Sequence, residues 1–187
     1  MDETSDDRIR QLVDAARNGD RHAFSELVKL HMNTIVALTH RMTGNRDAAL
    51  DLAQDTFLSA WQNLSGFRGD ARFESWLYRI ALNKTVNFLN SRRSVPLEEA
   101  AESALQTSDA QSPDRQLEQS QLRDQVLAFM QTLPVQQRLV FELRFYHQLS
   151  FSEISNSTGK ALGTVKTLYR EAVAKLRLFA IAQGYRS

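Results

Sequence analysis

Apolar side chains recur with a helical period along almost the whole chain. Ile9, Leu12, Val13 and Ala16 predict a first helix, which Gly19 can stop. Asp20 is placed to cap a second, whose stripe runs through Phe24, Leu27, Val28, Ile35, Leu38 and Met42 to Gly44. A third is expected over about 47–64, with Ala49, Leu52, Leu58 and Trp61 in its pattern. After the loop 65–70, a fourth is expected over about 72–92, with Phe73, Leu77, Ile80 and Leu89 apolar. Four helices with short links predict a compact bundle.

The pattern lapses at Ser94. From there to Pro113 the chain is rich in Ser, Glu, Ala, Gln and Asp, and Val95, Leu97 and Leu105 are its large apolar residues. Such a stretch buries too little to offset its ordering entropy, so a flexible acidic linker is expected over 94–113. Helical spacing resumes over 114–132, and Pro134 suits the first turn of a further helix carrying Val135, Leu139, Val140, Leu143 and Phe145. Ser150 and Glu153 have the spacing of a capping box, opening a short helix that ends at Gly159. A last amphipathic helix runs from about Gly163 to Ala180. No segment alternates with period two, and no internal repeat is present. The expected fold is all-α, with two small helical domains, 1–93 and 114–187, joined by the linker.

Composition agrees with this. Of 187 residues, 42% are hydrophobic, enough for a real core, and seven Gly with three Pro leave few breakers. The absence of cysteine excludes disulfides and thiolate metal sites. No apolar run approaches a membrane span, and the acidic N-terminus has no signal-peptide core, so a cytoplasmic protein without membrane insertion is expected. The net charge of +1 is unevenly spread: −3 over 1–65, +4 over 66–93, −5 over 94–125, +1 over 126–149 and +4 over 150–187. Two basic blocks around an acidic middle are candidate footprints for a polyanion, with ordinary solvated faces as the alternative.

The second basic block coincides with a short helix, a glycine-bearing turn and a helix with a polar outer face. That is the pattern of a helix-turn-helix, whose second helix enters the major groove while the first braces it. Val165, Leu168, Ala172, Leu176 and Phe179 should face the core, leaving Thr164, Lys166, Thr167 and Arg170 at the helix start and outside. Thr and Arg suit base edges; Lys166, Lys175 and Arg177 suit phosphates. A plain packing hairpin is the rival reading. The four histidines, His22, His31, His40 and His147, lack metal-site spacing, and no nucleophile elbow or phosphate loop occurs. No catalysis, metal or cofactor is expected.

The stretch Leu149-Ser150-Phe151-Ser152-Glu153-Ile154, with Gly163-Thr164-Val165-Lys166-Thr167, closely resembles region 4 of bacterial extracytoplasmic-function (ECF) sigma factors. Residues 51–61, DLAQDTFLSAW, resemble region 2.2 of that family. Phe67-Arg68-Gly69-Asp70, then Phe73, residues 76–81 and Asn83, resemble regions 2.3 and 2.4. The two blocks stand in the family's order and cover most of the chain.

The resemblance implies a subunit without an active site that binds core RNA polymerase, directs it to a promoter and helps melt the duplex. It implies core binding to the β′ clamp helices through Asp51, Gln54, Asp55 and Leu58, which share one helix face; contact with the β flap is expected too. It implies −10 recognition by Phe67, Arg68, Asp70, Arg72, Arg79, Asn83, Lys84 and Asn87, and −35 recognition by Thr164, Lys166, Thr167, Arg170 and Lys175. An anti-sigma factor is a further expected partner. Bland alternatives stand beside these: a solvated acidic face with Leu58 in the core, Phe67, Phe73 and Trp76 as core residues, and Asn83 and Asn87 as a solvated stripe. The chain departs from the family pattern at Leu50, where an acid is frequent, at Leu168 and Glu171, where basic residues are frequent, and at Lys160, often apolar. A one-component helix-turn-helix regulator with a ligand-binding bundle is the alternative function.

Overall fold

The computed structural model describes residues 3–93 and 113–184. Residues 94–112 of the expected linker lie outside the described residues, and Pro113 already opens a helix. The elements are α1 (Glu3–Arg17), α2 (Arg21–Thr43), α3 (Arg46–Asn63), a single 3₁₀ turn (Leu64–Gly66), α4 (Phe73–Arg93), α5 (Pro113–Thr132), α6 (Val135–Phe141), a π-helical turn (Glu142–Tyr146), α7 (Phe151–Thr158) and α8 (Leu162–Ala182). No strand occurs among the described residues. The chain divides into two compact units, 1–40 with 47–95, and 41–46 with 96–187.

The first unit is built from α1, α2 as far as His40, α3 from Asp47 and α4; residues 41–46 belong to the second unit. The Asp20 carboxylate accepts from the backbone N–H of His22 (2.8 Å) and Ala23 (3.1 Å), so it caps α2 as its position predicts. Leu27, Ile35, Leu38, Ala49, Ala53, Ala60, Leu77 and Ala81 are fully buried and form the core. The Thr39 hydroxyl lies 2.9 Å from both the Ile35 and Ala49 carbonyl oxygens, which ties α2 to α3. The third helix ends one residue earlier than its apolar pattern predicts, because Leu64 tightens into the 3₁₀ turn with its side chain still inside.

In the second unit Phe129, Met130, Leu133, Phe141 and Ala172 form a buried cluster, flanked by Val126, Tyr146, Tyr169, Val173, Leu176 and Phe179. Phe129 lies edge-on to Phe141 (5.5 Å between ring centres) and tilted against Phe179 (5.6 Å). The Arg138 guanidinium donates to the side chain of Gln131 (2.7 Å) and to the carbonyls of Gln131 (3.2 Å) and Leu133 (3.1 Å), closing the corner between α5 and α6. Burial lowers the Arg138 pKa from its ordinary value, and these acceptors offset the loss of water.

The sixth helix does not continue as α through Phe145, as its periodicity predicts. It widens at Glu142, which changes the phase of the stripe: Glu142 and Leu143 point inward, and Phe145 is turned out. The buried Glu142 carboxylate accepts from Arg41 at 2.6–3.2 Å and lies 3.2 Å from His147 Nε2. Gln148 takes a left-handed conformation (φ 53°), unusual outside glycine, at the corner leading to α7.

Candidate polymerase and promoter surfaces

Three polar surfaces stand on helices whose opposite faces build the cores. On α3, Ala49, Leu52, Ala53, Thr56, Phe57 and Ala60 point inward. Asp51, Gln54 and Asp55 are therefore exposed, as the helical spacing requires. Leu58 is 57% exposed, so it is not a core residue but an apolar side chain standing among acids and an amide. Leu50, two turns earlier, is exposed as well. A lone surface leucine needs no explanation; one ringed by Asp51, Gln54 and Asp55 on a single face has the composition of an interface anchor with a polar rim.

The second surface begins in the loop before α4. Phe67, Phe73 and Trp76 form one aromatic cluster, with ring centres 5.2–6.0 Å apart, and the His31 ring lies 5.6 Å from Phe73. Phe67 and Phe73 are buried and Trp76 is half-buried. In this structure Phe67 thus supports the loop from within instead of offering its ring to solvent, while Arg68 and Asp70 are exposed at the surface. His31 Nε2 is buried without a hydrogen-bond partner. Burial pushes the His31 pKa down, with the charge of Glu74 partly opposing it.

Along α4, Leu77, Ala81, Leu82 and Thr85 face the core. Arg72, Arg79, Asn83 and Asn87 are exposed and lie along one side, with Lys84 half-buried beside them. Arg72 carries a feature that sequence reasoning missed. Its Nη2 lies 2.8 Å from both carboxylate oxygens of Asp6, on α1. The acidic N-terminus was visible in the sequence, but a pair separated by 66 positions leaves no local signal.

The third surface is the α7–α8 pair. Both arms of the capping box form: the Glu153 N–H donates to Ser150 Oγ (3.2 Å), and the Ser150 N–H donates to Glu153 Oε2 (2.7 Å). These bonds hold the Glu153 carboxyl below the usual carboxylate range. Gly159 ends α7 in the left-handed region (φ 68°), where a Cβ would be strained. The Ser155 hydroxyl donates to the Lys160 carbonyl (2.6 Å) and fixes the turn. Ile154 from α7 and Val165 from α8 are fully buried, setting the two helices against the core.

That packing leaves Thr164, Lys166, Thr167 and Arg170 exposed around the first turns of α8. The helix starts at Ala161 without a side-chain cap, so its first backbone N–H groups favour an anion. Lys175, two turns on, is exposed but held: its Nζ donates to Gln137 Oε1 (2.9 Å), and Gln137 Nε2 donates to Glu171 Oε2 (2.7 Å). One buried amide thereby bridges the two opposite charges of α8 to α6. Among the described residues no cluster of His, Cys, Asp or Glu has the makings of a metal site, and no helix is long and apolar enough to cross a membrane.

Two helical units, one carrying a basic stripe beside an aromatic-backed loop and the other a capped helix-turn-helix, have the makings of a nucleic-acid-binding protein. Comparison with known proteins makes the assignment: residues 27–95 match sigma-70 region 2, and residues 129–178 match sigma-70 region 4. The chain is 33% identical over 177 residues to the RNA polymerase sigma-H factor of Pseudomonas aeruginosa, covering 89% of this chain and 92% of that protein. It is 30% identical over 178 residues to the ECF RNA polymerase sigma factor SigW of Bacillus subtilis, covering 89% and 95%. The solved structure of CnrH in complex with the cytosolic domain of CnrY is similar with a TM-score of 0.67 at 27% identity, covering 94% of this chain and 98% of CnrH. The fold is shared too with the sigma factor RpoE of Bartonella quintana, solved in complex with the anti-sigma factor NepR (TM-score 0.64, 23% identity, covering 83% and 95%). The chain belongs to the ECF group of RNA polymerase sigma factors.

Proposed function

We propose that this chain is a non-catalytic initiation subunit of RNA polymerase whose two units divide the promoter between them. Residues 1–93 carry the core-polymerase and −10 functions, and residues 114–187 carry the −35 function. The observation that carries the reading is the exposed Leu58 set among Asp51, Gln54 and Asp55 on α3. That face suits the β′ clamp helices, a basic coiled-coil partner. Arg68, Asp70, Arg72, Arg79, Asn83, Lys84 and Asn87 face melted −10 DNA, with Phe67 beneath the loop; basic groups hold phosphates and amides read base edges. Thr164, Lys166, Thr167 and Arg170 meet the −35 duplex, with Lys175 at the border of that surface. The second unit also meets the β flap. The protein works in the cytoplasm, where polymerase and promoters are. An anti-sigma factor is the regulatory partner we assign, by analogy with the structural relatives.

The test is transcription with purified core polymerase on a promoter library. The chain should co-purify with core and yield specific run-off transcripts. Leu58→Asp should abolish co-purification while leaving the fold intact, because Leu58 contributes nothing to the core. A chain that binds duplex DNA alone, never associates with core and activates no promoter would overturn the reading in favour of a one-component regulator.

A further inference from the structure

The apolar stripe of α1 consists of Ile9, Leu12, Val13 and Ala16, of which Val13 and Ala16 are buried. One turn before Ile9, at the edge of that stripe, stands Asp6, half-buried on the same helix. Asp6 is accommodated by Arg72, whose Nη2 lies 2.8 Å from each carboxylate oxygen. The side chains remain 54% and 41% exposed, so the pair is open to competition from solvent and from other ions. The carboxylate is not a wandering one, because the packed Val13 and Ala16 fix the helix that carries it. Arg72 stands at the start of the exposed polar side of α4.

We propose that Asp6 is an intramolecular stand-in for a DNA phosphate, and that it lowers promoter affinity by occupying Arg72 until single-stranded DNA displaces it. The inference rests on the −10 role assigned above to α4. A carboxylate and a phosphate oxygen compete for the same guanidinium donors, and the phosphate must release Asp6 before Arg72 engages it. Two consequences follow. Part of the Arg72 contact is cancelled by the pair it breaks. Arg72, already neutralised in the free protein, also displaces fewer counterions from DNA than a free arginine would.

The experiment uses the full chain assembled with core polymerase. The probe is a fluorescent promoter fragment recovered in the run-off selection, with its −10 stretch left single-stranded. Asp6→Asn keeps the shape and removes the charge. It should tighten binding about two- to five-fold at low salt, the range set by an exposed ion pair. It should also steepen the log–log salt dependence by about 0.7, the increment for one more phosphate on a single strand. In an Arg72→Gln background both gains should vanish. A gain that survives Arg72→Gln would mean general repulsion by the acidic helix and would overturn the proposal. Unchanged or weaker binding by Asp6→Asn would overturn it too, the latter by making Asp6 a support for Arg72. Failure of the unsubstituted holoenzyme to bind the fragment refutes the −10 assignment itself, and the inference with it.

Discussion

Gln137 is a buried amide that holds two charges of α8 at once, and its replacement tests whether α8 is set by that bridge. Gln137→Ala removes the 2.7 Å bond to Glu171 and the 2.9 Å bond from Lys175. A hydrogen bond to a charged partner is worth about 1.5–3 kcal/mol when sheltered. Both charged side chains are exposed here, and water recovers most of that, leaving about 0.5 kcal/mol for each. Losing the buried methylene adds about 0.8 kcal/mol. The second unit should therefore lose about 2 kcal/mol, roughly thirty-fold in its folding equilibrium. Gln137→Glu should also destabilise the unit at neutral pH, since it sets a second carboxylate against Glu171 and the ion pair it keeps with Lys175 offsets only part of that repulsion. It should recover as the pH falls, because a carboxyl crowded by another takes up a proton more readily in the folded state than in the unfolded one. Adding Glu171→Gln restores a donor–acceptor pair and should rescue Gln137→Glu. Hydrogen exchange of the α8 amides is the readout, with tryptophan fluorescence as internal control, because Trp61 and Trp76 are the only tryptophans and both lie in the first unit. If Gln137→Glu is as stable as the unsubstituted chain, or Glu171→Gln fails to rescue it, the bridge does not set the helix.

Ser150→Ala should destabilise the second unit by about 1 kcal/mol, and Ser150→Asp should not, since both Ser and Asp cap α7; urea titration followed by circular dichroism decides. Ile154→Ala, which empties a fully buried site, should cost about 2–5 kcal/mol in the same titration. The first unit should lose stability in acid. Burial lowers the His31 pKa in the folded state, so the unfolded chain takes up that proton first. Stability is then full above the ordinary histidine pKa of about 6.5 and falls as the pH drops below it. His31→Leu should flatten the melting temperature between about pH 7.5 and 5.5, and an undiminished slope would refute the assignment. Arg170→Ala should weaken binding to a duplex −35 element about five- to a hundred-fold without affecting association with core polymerase.

The local rules of the chain were legible because each rests on neighbours in sequence. Asp20 caps α2, Ser150 and Glu153 box α7, Gly159 ends it, and Val165 and Ala172 face inward, all at positions that spacing alone assigns. The exposed faces of α4 and α8 follow from the same periodicity, whereas on α3 the apolar pattern included Leu58, which is exposed, and Phe57 is the residue turned inward. Two kinds of feature were not legible. One is backbone geometry: nothing in Val135 to Phe145 marks the point at which α turns to π, since the apolar spacing is compatible with both until the burial of Glu142 is known. The other is pairing at long range. The Asp6–Arg72 pair and the Gln137 bridge to Glu171 and Lys175 join helices far apart in sequence, and such partners emerge only from packing.

Those long-range pairs change how the departures from the family pattern are understood. Glu171 stands where a basic residue is frequent, and as a DNA contact it would repel phosphate. Its carboxylate is instead turned to Gln137, with Lys175 held by the same amide, so the two charges of that turn are engaged within the protein. Leu168, another departure, is half-buried, which makes its change one of packing. The Lys160 carbonyl serves the turn by accepting from Ser155. On the −35 role proposed above for α8, discrimination would fall on its first turns, on Thr164, Lys166, Thr167 and Arg170, all exposed. A short reader of this kind has one strong base-directed donor, Arg170, and two hydroxyls of lower selectivity. The −35 element should accordingly show one dominant base pair, with weaker preference at its neighbours. Arg170→Lys, which keeps the charge and loses the planar fork, should relax that one position while sparing overall affinity. Selection of −35 sequences from a randomised library by the two proteins checks this, and equal relaxation at every position would refute it.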